Sequence, residues 1–408
     1  MRVEVINTGT ELLLGNIVNT HLAFLAQELF PLGLRIGRQV TVPDGSAIRD
    51  ALLESFDRAE VILVTGGLGP TTDDVTREIT AELLGLKLAE DAAVLQAIAE
   101  RFASRAIKLT ERVKRQAQVP EGAVVLQNTN GTAPGLYLVH SKEGRTIHIF
   151  LLPGPPRELK PMFNEVVVPI LKTLIPAGEV PECRSYRAVG IGESNVEALV
   201  GEQLLAIEGI ELGYCARPGE VDVRVIGSRD VVERAETIIL AHLKDCIVSQ
   251  DSRSLEQVVV TGLIQRGETV AVAESCTGGF LANRITNVSG ASEVFVEGFI
   301  TYANEAKARA LGIDPDVIKA HGAVSKEVAK AMAENARRLA GTDYALSTTG
   351  IAGPGGGTEE KPVGTVYIAF AAKNAETLVE KHRFPTDREN FKWLVTQTAL
   401  DLLRKRLA

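Results

Sequence analysis

Two apolar runs that each break into a glycine-rich turn, where a helix should begin, constrain this chain more than any other feature. The first is "EVILVTGGLGPTTDD", residues 60–74, and the second is "TVAVAESCTGG", residues 269–279. Short runs of β-branched and small apolar residues suit strands covered on both faces, and glycines let the chain turn tightly at their ends. A strand that feeds a helix through such a turn implies a parallel sheet with helices packed on it.

The surrounding sequence repeats that rhythm. "VEVIN", a helical stretch over 19–33, "IGRQVTV", a helical stretch over 46–58 and "EVILVTGG" predict a parallel α/β sheet. Helices are expected over 74–85 and 91–105, and strands near 135–140 and 146–152. "LLPGPPREL" then turns into a helix ending near Leu174. Two prolines and a glycine in "IPAGEVPEC", residues 175–183, mark a boundary.

A small α+β unit is expected next: "RSYRAVGIG", a helix from Glu193, a hairpin around Pro218-Gly219 and a helix from Asp230 to Lys244. Polar residues in "SQDSRS", 249–254, open a third segment. It has a helix at "LEQVVVTGLIQRG", strands at "TVAVAES", "VEGFITYA", "DYALSTTGIAG", "GTVYIAFAA" and "TLVEKHRF", and a last amphipathic helix "RENFKWLVTQTALDLLRKRLA". The expected fold is two α/β domains, 1–174 and 251–408, joined by a small α+β domain, 175–250; 408 residues suffice for three such cores.

Composition excludes several function classes. A net charge of -8 without a dense Lys/Arg block gives no extended nucleic-acid surface, so small ligands are the expected partners. Cys183, Cys215, Cys246 and Cys276 form no C-x-x-C pair and the six histidines show no H-E-x-x-H spacing, which argues against disulfide frameworks and histidine-bound zinc. No run of eighteen apolar residues offers a membrane span, and the start lacks the apolar core of a signal peptide; a reducing cytoplasm is the expected setting.

In the first turn, Gly66, Gly67 and Gly69 permit close backbone approach to a ligand, and a helix N-terminus favours phosphate. Asp73 and Asp74 would repel that phosphate unless a cation such as Mg²⁺ lies between. The plainer alternative is that Thr72, Asp73 or Asp74 caps the helix. Spaced as GG-x-G-x-x-x-x-D-x-T, with Asp74 and Thr76 in place, this stretch resembles the turn of the molybdopterin-binding fold, which holds a pterin or nucleotide phosphate. "TVPD", with Asp44, and "LPGPP" resemble two further loops of that fold. Asp73 stands where the pattern usually has arginine, which shifts the expectation from pterin chemistry to a metal-dependent reaction on a diphosphate. Glu11, Asn16 and Asn19 are further ligand candidates, or turn and cap residues.

In the second turn, Ser275 should stand at the sheet's carboxyl edge, where ligands bind and backbone N–H groups stabilise an anion. Glu274 to Gly279 could also be only a helix cap. No histidine stands in a recognisable relation to Ser275, but "ITYANEAK", residues 300–307, brings Tyr302 and Lys307 to the same edge. A desolvated lysine can lose its proton and act as base. The Gly-rich loop in "STTGIAGPGGG", residues 347–357, and Arg388 in "FPTDREN" converge there as anion partners. Cys276 is expected to pack behind the turn as a small buried hydrophobe.

"TGGLGPTTDD", "LPGPPREL", "ESCTGG", "TYANEAK" and "TGIAGPGGGTEEKPVGTV", in this order, resemble the competence/damage-inducible CinA family over essentially the whole chain. The resemblance implies a molybdopterin-binding-like domain, a KH-like middle domain and a C-terminal amidohydrolase domain. It implies hydrolysis of nicotinamide mononucleotide to nicotinate mononucleotide and ammonia by the C-terminal domain, which needs no cofactor. For the first domain it implies ADP-ribose pyrophosphatase activity with a divalent metal of the Mg, Mn or Co class; both reactions serve pyridine nucleotide salvage.

By the same resemblance Ser275 is the nucleophile, Lys307 its base, Tyr302 a relay and Arg388 a phosphate or charge partner. Ser292, Thr277, Gly278, Thr349, Gly350 and Gly353 complete that site. Gly66, Gly67, Gly69, Thr76, Glu11 and Asn19 would bind the other substrate, with Asp74, Asp73 and Asp44 at the metal. A homodimer and a recombinase contact are expected partners. The middle unit lacks a G-x-x-G loop between helices, so it is expected to be a spacer or dimer element rather than an RNA binder. The competing reading is a non-catalytic nucleotide sensor or scaffold in competence or DNA repair.

Overall fold

The computed structural model describes residues 1–104, 108–175, 178 and 180–407. Arg105, Pro176, Ala177, Glu179 and Ala408, which fall within the expected helices and the 175–183 boundary, lie outside the described residues. The chain forms two compact units, Met1–Val180 and Pro181–Ala408.

In the first unit a six-stranded sheet runs in the order Ile36–Val42, Val3–Thr8, Val61–Thr65, Arg145–Leu152, Gly135–Lys142, Val124–Leu126. The first four are parallel. All five residues of Val61–Thr65 are buried because alternate side chains feed two cores. Ile62 and Val64 pack with Ile48 and Leu52 of helix Ser46–Phe56, while Val61 and Leu63 pack with Leu25 and Leu29 of helix His21–Leu29.

The sheet is not wholly parallel as the rhythm predicts. Only Glu143 and Gly144 join Gly135–Lys142 to Arg145–Leu152, too few residues for a crossover, so the pair closes as an antiparallel hairpin. Both linking residues have positive φ, 50° and 77°, as a two-residue hairpin turn favours.

In the second unit an antiparallel sheet, Glu211–Arg217, Glu220–Gly227, Glu182–Val189 and Ile247–Ser249, packs with helices Glu193–Leu205 and Arg229–Leu243. The hairpin turns at Pro218-Gly219 as expected. The unit's larger sheet runs Phe295–Ile300, Val270–Glu274, Tyr344–Gly350, Thr365–Ala372, Leu378–Arg383. The first three strands are parallel and the last two antiparallel. Val270 and Val272 pack toward Leu255, Phe391 and Val395 of helices Leu255–Arg266 and Arg388–Leu407; Ala271 and Ala273 pack toward Val328 and Met332 of Lys326–Ala340. Thus the sheet is covered on both faces, with its parallel strands sharing one carboxyl edge.

At that edge Glu274 is fully buried and its carboxylate accepts the backbone N–H groups of Gly279 (3.0 Å), Leu281 (3.0 Å) and Ala282 (2.8 Å). It therefore caps helix Phe280–Thr286 from the end of the preceding strand. Gly279 has φ of 93°, and a Cβ there would stand 2.9 Å from Ile300 Cδ1, so only glycine fits the turn. Among the described residues no helix is long and apolar enough to cross a membrane.

Three N–H groups on one buried carboxylate make Glu274 a stability residue. Glu274→Ala should lower the unfolding free energy by about 3 kcal/mol, and Glu274→Gln by less. An unchanged midpoint in urea unfolding of Glu274→Ala would contradict this assignment.

Candidate functional site

The second unit brings Ser275 and Lys307 together. Ser275 follows the Val270–Glu274 strand, its backbone N–H held by the Thr348 carbonyl of the neighbouring strand at 2.9 Å. Lys307 lies in helix Asn304–Leu311, beyond the Phe295–Ile300 strand, and points back to the same edge. Its Nζ is 3.0 Å from Ser275 Oγ, 2.8 Å from the Thr301 carbonyl and 3.4 Å from the Tyr302 carbonyl.

Lys307 is 1% exposed, and among the described residues no carboxylate lies within ion-pair distance of Nζ. Burial therefore pushes its pKa below the ordinary lysine value, while the nearby Cys276 thiol and Glu305 partly oppose the shift. The three contacts can serve the amine in either protonation state. As an ammonium Nζ donates to the Ser275 hydroxyl and to both carbonyls; once the proton is lost, the carbonyls can only accept and keep its two N–H groups, and the lone pair is left to the Ser275 hydroxyl.

Cys276 takes no part in that pairing. It packs in the core with Val270 and Leu281, and burial pushes its thiol up to about 12. A thiol with that pKa is un-ionised at neutral pH and a poor nucleophile. Thr277 is buried with its hydroxyl 2.7 Å from that of Thr348. Because Glu274 occupies the helix N–H groups, the anion stabilisation expected of the turn narrows to the amides of Cys276 and Thr277. Among the described residues neither amide donates to another residue; the Cys276 N–H meets only its own sulfur.

Arg388 opens helix Arg388–Leu407 and ties two elements together, donating to the Gly353 carbonyl (3.0 Å) and the Tyr302 hydroxyl (2.7 Å). Tyr302 is 61% exposed, and its carbonyl rather than its hydroxyl meets Lys307. The geometry does not provide the proton relay expected of Tyr302. Thr349 is buried on the Ala323 carbonyl (2.7 Å), and a Cβ at Gly350 would meet the Thr365 carbonyl at 2.8 Å, so both shape the strand end. Gly278, with φ of 61°, forms the exposed side of the turn.

Ser292 corrects the expectation. It lies in the Ala291–Glu293 turn, before the Phe295–Ile300 strand, whereas Ser275 and Thr301 follow the carboxyl ends of paired parallel strands. A full strand length separates it from Ser275 within this chain, because the motif match placed it without regard to strand direction.

The first unit holds a cavity of about 510 Å³ at the carboxyl edge of its sheet. Gly66, Gly67, Gly69, Glu11, Asn19, Asp44, Asp73 and Asp74 all line it, as does the Pro153–Pro156 loop. Asp74 accepts from the Thr71 backbone N–H (2.8 Å) and hydroxyl, and Asp44 from the Thr10 N–H (3.1 Å) and hydroxyl (3.3 Å). The same Thr71 hydroxyl, when turned to Asp73 instead, holds that carboxylate below the usual range. Asn19 also serves the chain itself, its side-chain oxygen accepting the His21 N–H at 2.9 Å.

Thr76 lies beneath the turn rather than in the cavity: it is fully buried, and a Cβ on Gly67 would sit 2.0 Å from its hydroxyl. Asn16 is exposed and donates its backbone N–H to Glu11. Among the described residues no three His, Cys, Asp or Glu side chains are grouped closely enough to hold a metal ion.

Among the cavity residues that the sequence did not single out are His21, Gln116 and Glu158. His21 Nδ1 is 3.3 Å from the Thr65 hydroxyl, which donates to Asn7 at 2.9 Å; burial lowers its pKa. Glu158 accepts from Asn128 at 2.9 Å. His21 stands two residues from Asn19 and Glu158 within "LPGPPREL", so proximity to the motifs was the available signal. Gln116 had none.

Three family models match the chain: "Probable molybdopterin binding domain" over residues 4–173, "Damage-inducible protein CinA KH domain" over 183–247 and "CinA C-terminal domain" over 252–407. A "CinA-like protein" of Akkermansia muciniphila is 48% identical over 98% of this chain and 96% of that protein. Another, of Koribacter versatilis, is 40% identical over 100% of both. The crystal structure of the competence/damage inducible protein CihA from Agrobacterium tumefaciens is 39% identical, covering 38% of this chain and 93% of that one with a TM-score of 0.37. With two α/β domains separated by a small α+β KH-like domain, the chain belongs to the CinA family.

Proposed function

We propose that the second unit is an amidase that hydrolyses the carboxamide of nicotinamide mononucleotide, with Ser275 as nucleophile and Lys307 as its base. The observation that carries this reading is the buried Lys307 amine, 3.0 Å from Ser275 Oγ and without a carboxylate partner among the described residues. The substrate follows from the family resemblance.

Lys307 takes the Ser275 proton as Oγ bonds to the carboxamide carbon, and the carbonyl electron pair becomes an oxyanion held by the Cys276 and Thr277 amides. The resulting ammonium returns its proton to nitrogen as the C–N bond breaks, releasing ammonia and leaving an ester on Ser275. Water then attacks the ester, Lys307 again accepts and returns the proton, and nicotinate mononucleotide leaves. Arg388, held by Gly353 and Tyr302, directs its remaining N–H donors to the nucleotide phosphate. A nucleotide sensor would gain nothing from desolvating a lysine against a serine.

The first unit is proposed to hydrolyse ADP-ribose to AMP and ribose 5-phosphate. Asp44 and Asp74 line one cavity, and the oxygen contacts described above involve only Oδ2 of each, leaving Oδ1 for a cation. That donor set fits a divalent ion of the magnesium, manganese or cobalt class taken up with the diphosphate, since such ions often use one or two carboxylates plus substrate oxygens. The ion would neutralise the phosphate charge; the Gly66–Gly69 turn leaves room for the phosphates and Asn19 flanks them.

Replacing Ser275 or Lys307 by alanine should lower ammonia release from nicotinamide mononucleotide at least about 10³-fold, while Cys276→Ala keeps most of it. Loss in Cys276→Ala with retention in Ser275→Ala would overturn the assignment. Because only the neutral amine accepts a proton, kcat/KM should rise with pH through a pKa below the ordinary 10.5 of lysine and fall away on acidification. In the first unit, Asp74→Asn should reduce AMP release from ADP-ribose roughly 100-fold, as should a chelator. Equal turnover in either case would remove the carboxylate–metal account.

A further inference from the structure

Glu158 is a carboxylate set into the wall of the first unit's cavity with one oxygen left open. Its side chain is 10% exposed, and it lines the cavity together with Thr132, Ala133 and the Pro153–Pro156 loop. Oε2 accepts from Asn128 Nδ2 at 2.9 Å, and a Cβ on Gly131 would collide with it, so the loop over 128–133 closes around that oxygen. Oε1 accepts no hydrogen bond from the described residues, yet it is not sealed from solvent as Gln116 Oε1 is. The cation nearest to it, Arg157 Nε, stands 3.9 Å away on a side chain that is 83% exposed, an ion pair of little strength.

A carboxylate kept this far out of water needs donors, and natural proteins leave few such acceptors unmet. Glu158 is not gathered with Asp44 and Asp74 into a group that could hold one metal ion. A phosphate cannot supply the missing partner, because it is itself an anion with acceptors only. The partner is therefore an uncharged donor on the ligand. Adenine's exocyclic amine suits a carboxylate poorly, since a ring nitrogen beside it is a second acceptor, which is why asparagine and glutamine are its usual partners. A ribose hydroxyl carries no such conflict.

We infer that Glu158 is a specificity residue of this cavity, its Oε1 accepting a hydrogen bond from a ribose hydroxyl of the ligand. This rests on the proposal that the cavity takes a nucleoside diphosphate. Its placement keeps sugar and phosphate on different walls. The Glu158 carboxylate is held by the loop over 128–133 and not by the glycine turn, where the phosphates belong. The two walls still adjoin, as a ribose joined to a phosphate requires: Gly154, in the loop leading into the Glu158 helix, would meet the Gly66 Cα at 3.5 Å through an added Cβ. A site built around such a bond rejects analogues lacking the hydroxyl, because they leave the carboxylate unpaired.

The test measures kcat and KM with Mg²⁺ on the full chain, for ADP-ribose and for analogues that each lack one ribose hydroxyl. Wild type, Glu158→Leu and Glu158→Gln are compared, with the thermal midpoint of each ligand-free protein. Glu158→Leu should raise KM for ADP-ribose roughly ten- to a hundredfold with little change in kcat. Glu158→Gln, which keeps an oxygen for Asn128 but loses the charge, should raise it less. In wild type one deoxy analogue should show a similar rise in KM, and with that analogue the Glu158→Leu penalty should disappear. If Glu158→Leu has a lowered midpoint, Glu158→Gln and the wild-type analogue series decide. An unchanged KM in the folded variants overturns the proposal, as does a penalty that persists with every deoxy analogue. A fall in kcat with KM held also overturns it, since that would place Glu158 at the reacting phosphates. A wild-type chain without ADP-ribose turnover removes the nucleotide reading itself, and this inference with it.

Discussion

The arrangement of the second unit's site depends on one costly placement, a lysine nitrogen taken out of water with no carboxylate among the described residues to compensate it. Desolvation disfavours the ammonium, and the surroundings can still serve the uncharged amine: two carbonyls keep its N–H groups, and the Ser275 hydroxyl, which accepts from the ammonium, can turn to the lone pair. Those partners come from the ends of two neighbouring parallel strands, so the sheet fixes the pair. Glu274 then secures the turn by occupying the N–H groups of the following helix. Cys276, next in the chain, is buried in the core instead, where its thiol stays un-ionised.

The first unit reaches a similar edge by different means. Its glycine turn leaves room for a ligand because side chains lie beneath the backbone: Thr76 fills the space under Gly67, and Asp74 lies where a Cβ on Gly69 would point. The carboxylates are braced by threonines, one oxygen each, rather than gathered into a cage. Such a cavity suits a site that is completed by its ligand.

Legibility in the sequence followed the range of the interaction. Apolar period and glycine placement revealed the strands and turns, and strand ends were enough to bring Ser275 and Lys307 to one edge. Local pattern did not reveal direction across the sheet: Ser292 matched a motif yet lies at the opposite end of its strand, and the closing strands of both α/β sheets run antiparallel. Gln116 was invisible because a distant turn residue comes beside the glycine turn only through the tertiary fold. Tyr302 was read correctly in position but not in partner, since the Arg388 guanidinium reaches its hydroxyl from the last helix.

The central claim is that burial makes Lys307 give up its proton more readily than an ordinary lysine, beside the Ser275 hydroxyl. Carbon-13 NMR titration of lysine side chains in the full chain, with Lys307 assigned by its absence in Lys307→Met, measures this directly. The account predicts one lysine titrating clearly below the ordinary 10.5 and missing from that variant. A Lys307 resonance that stays protonated up to or beyond that value would contradict it.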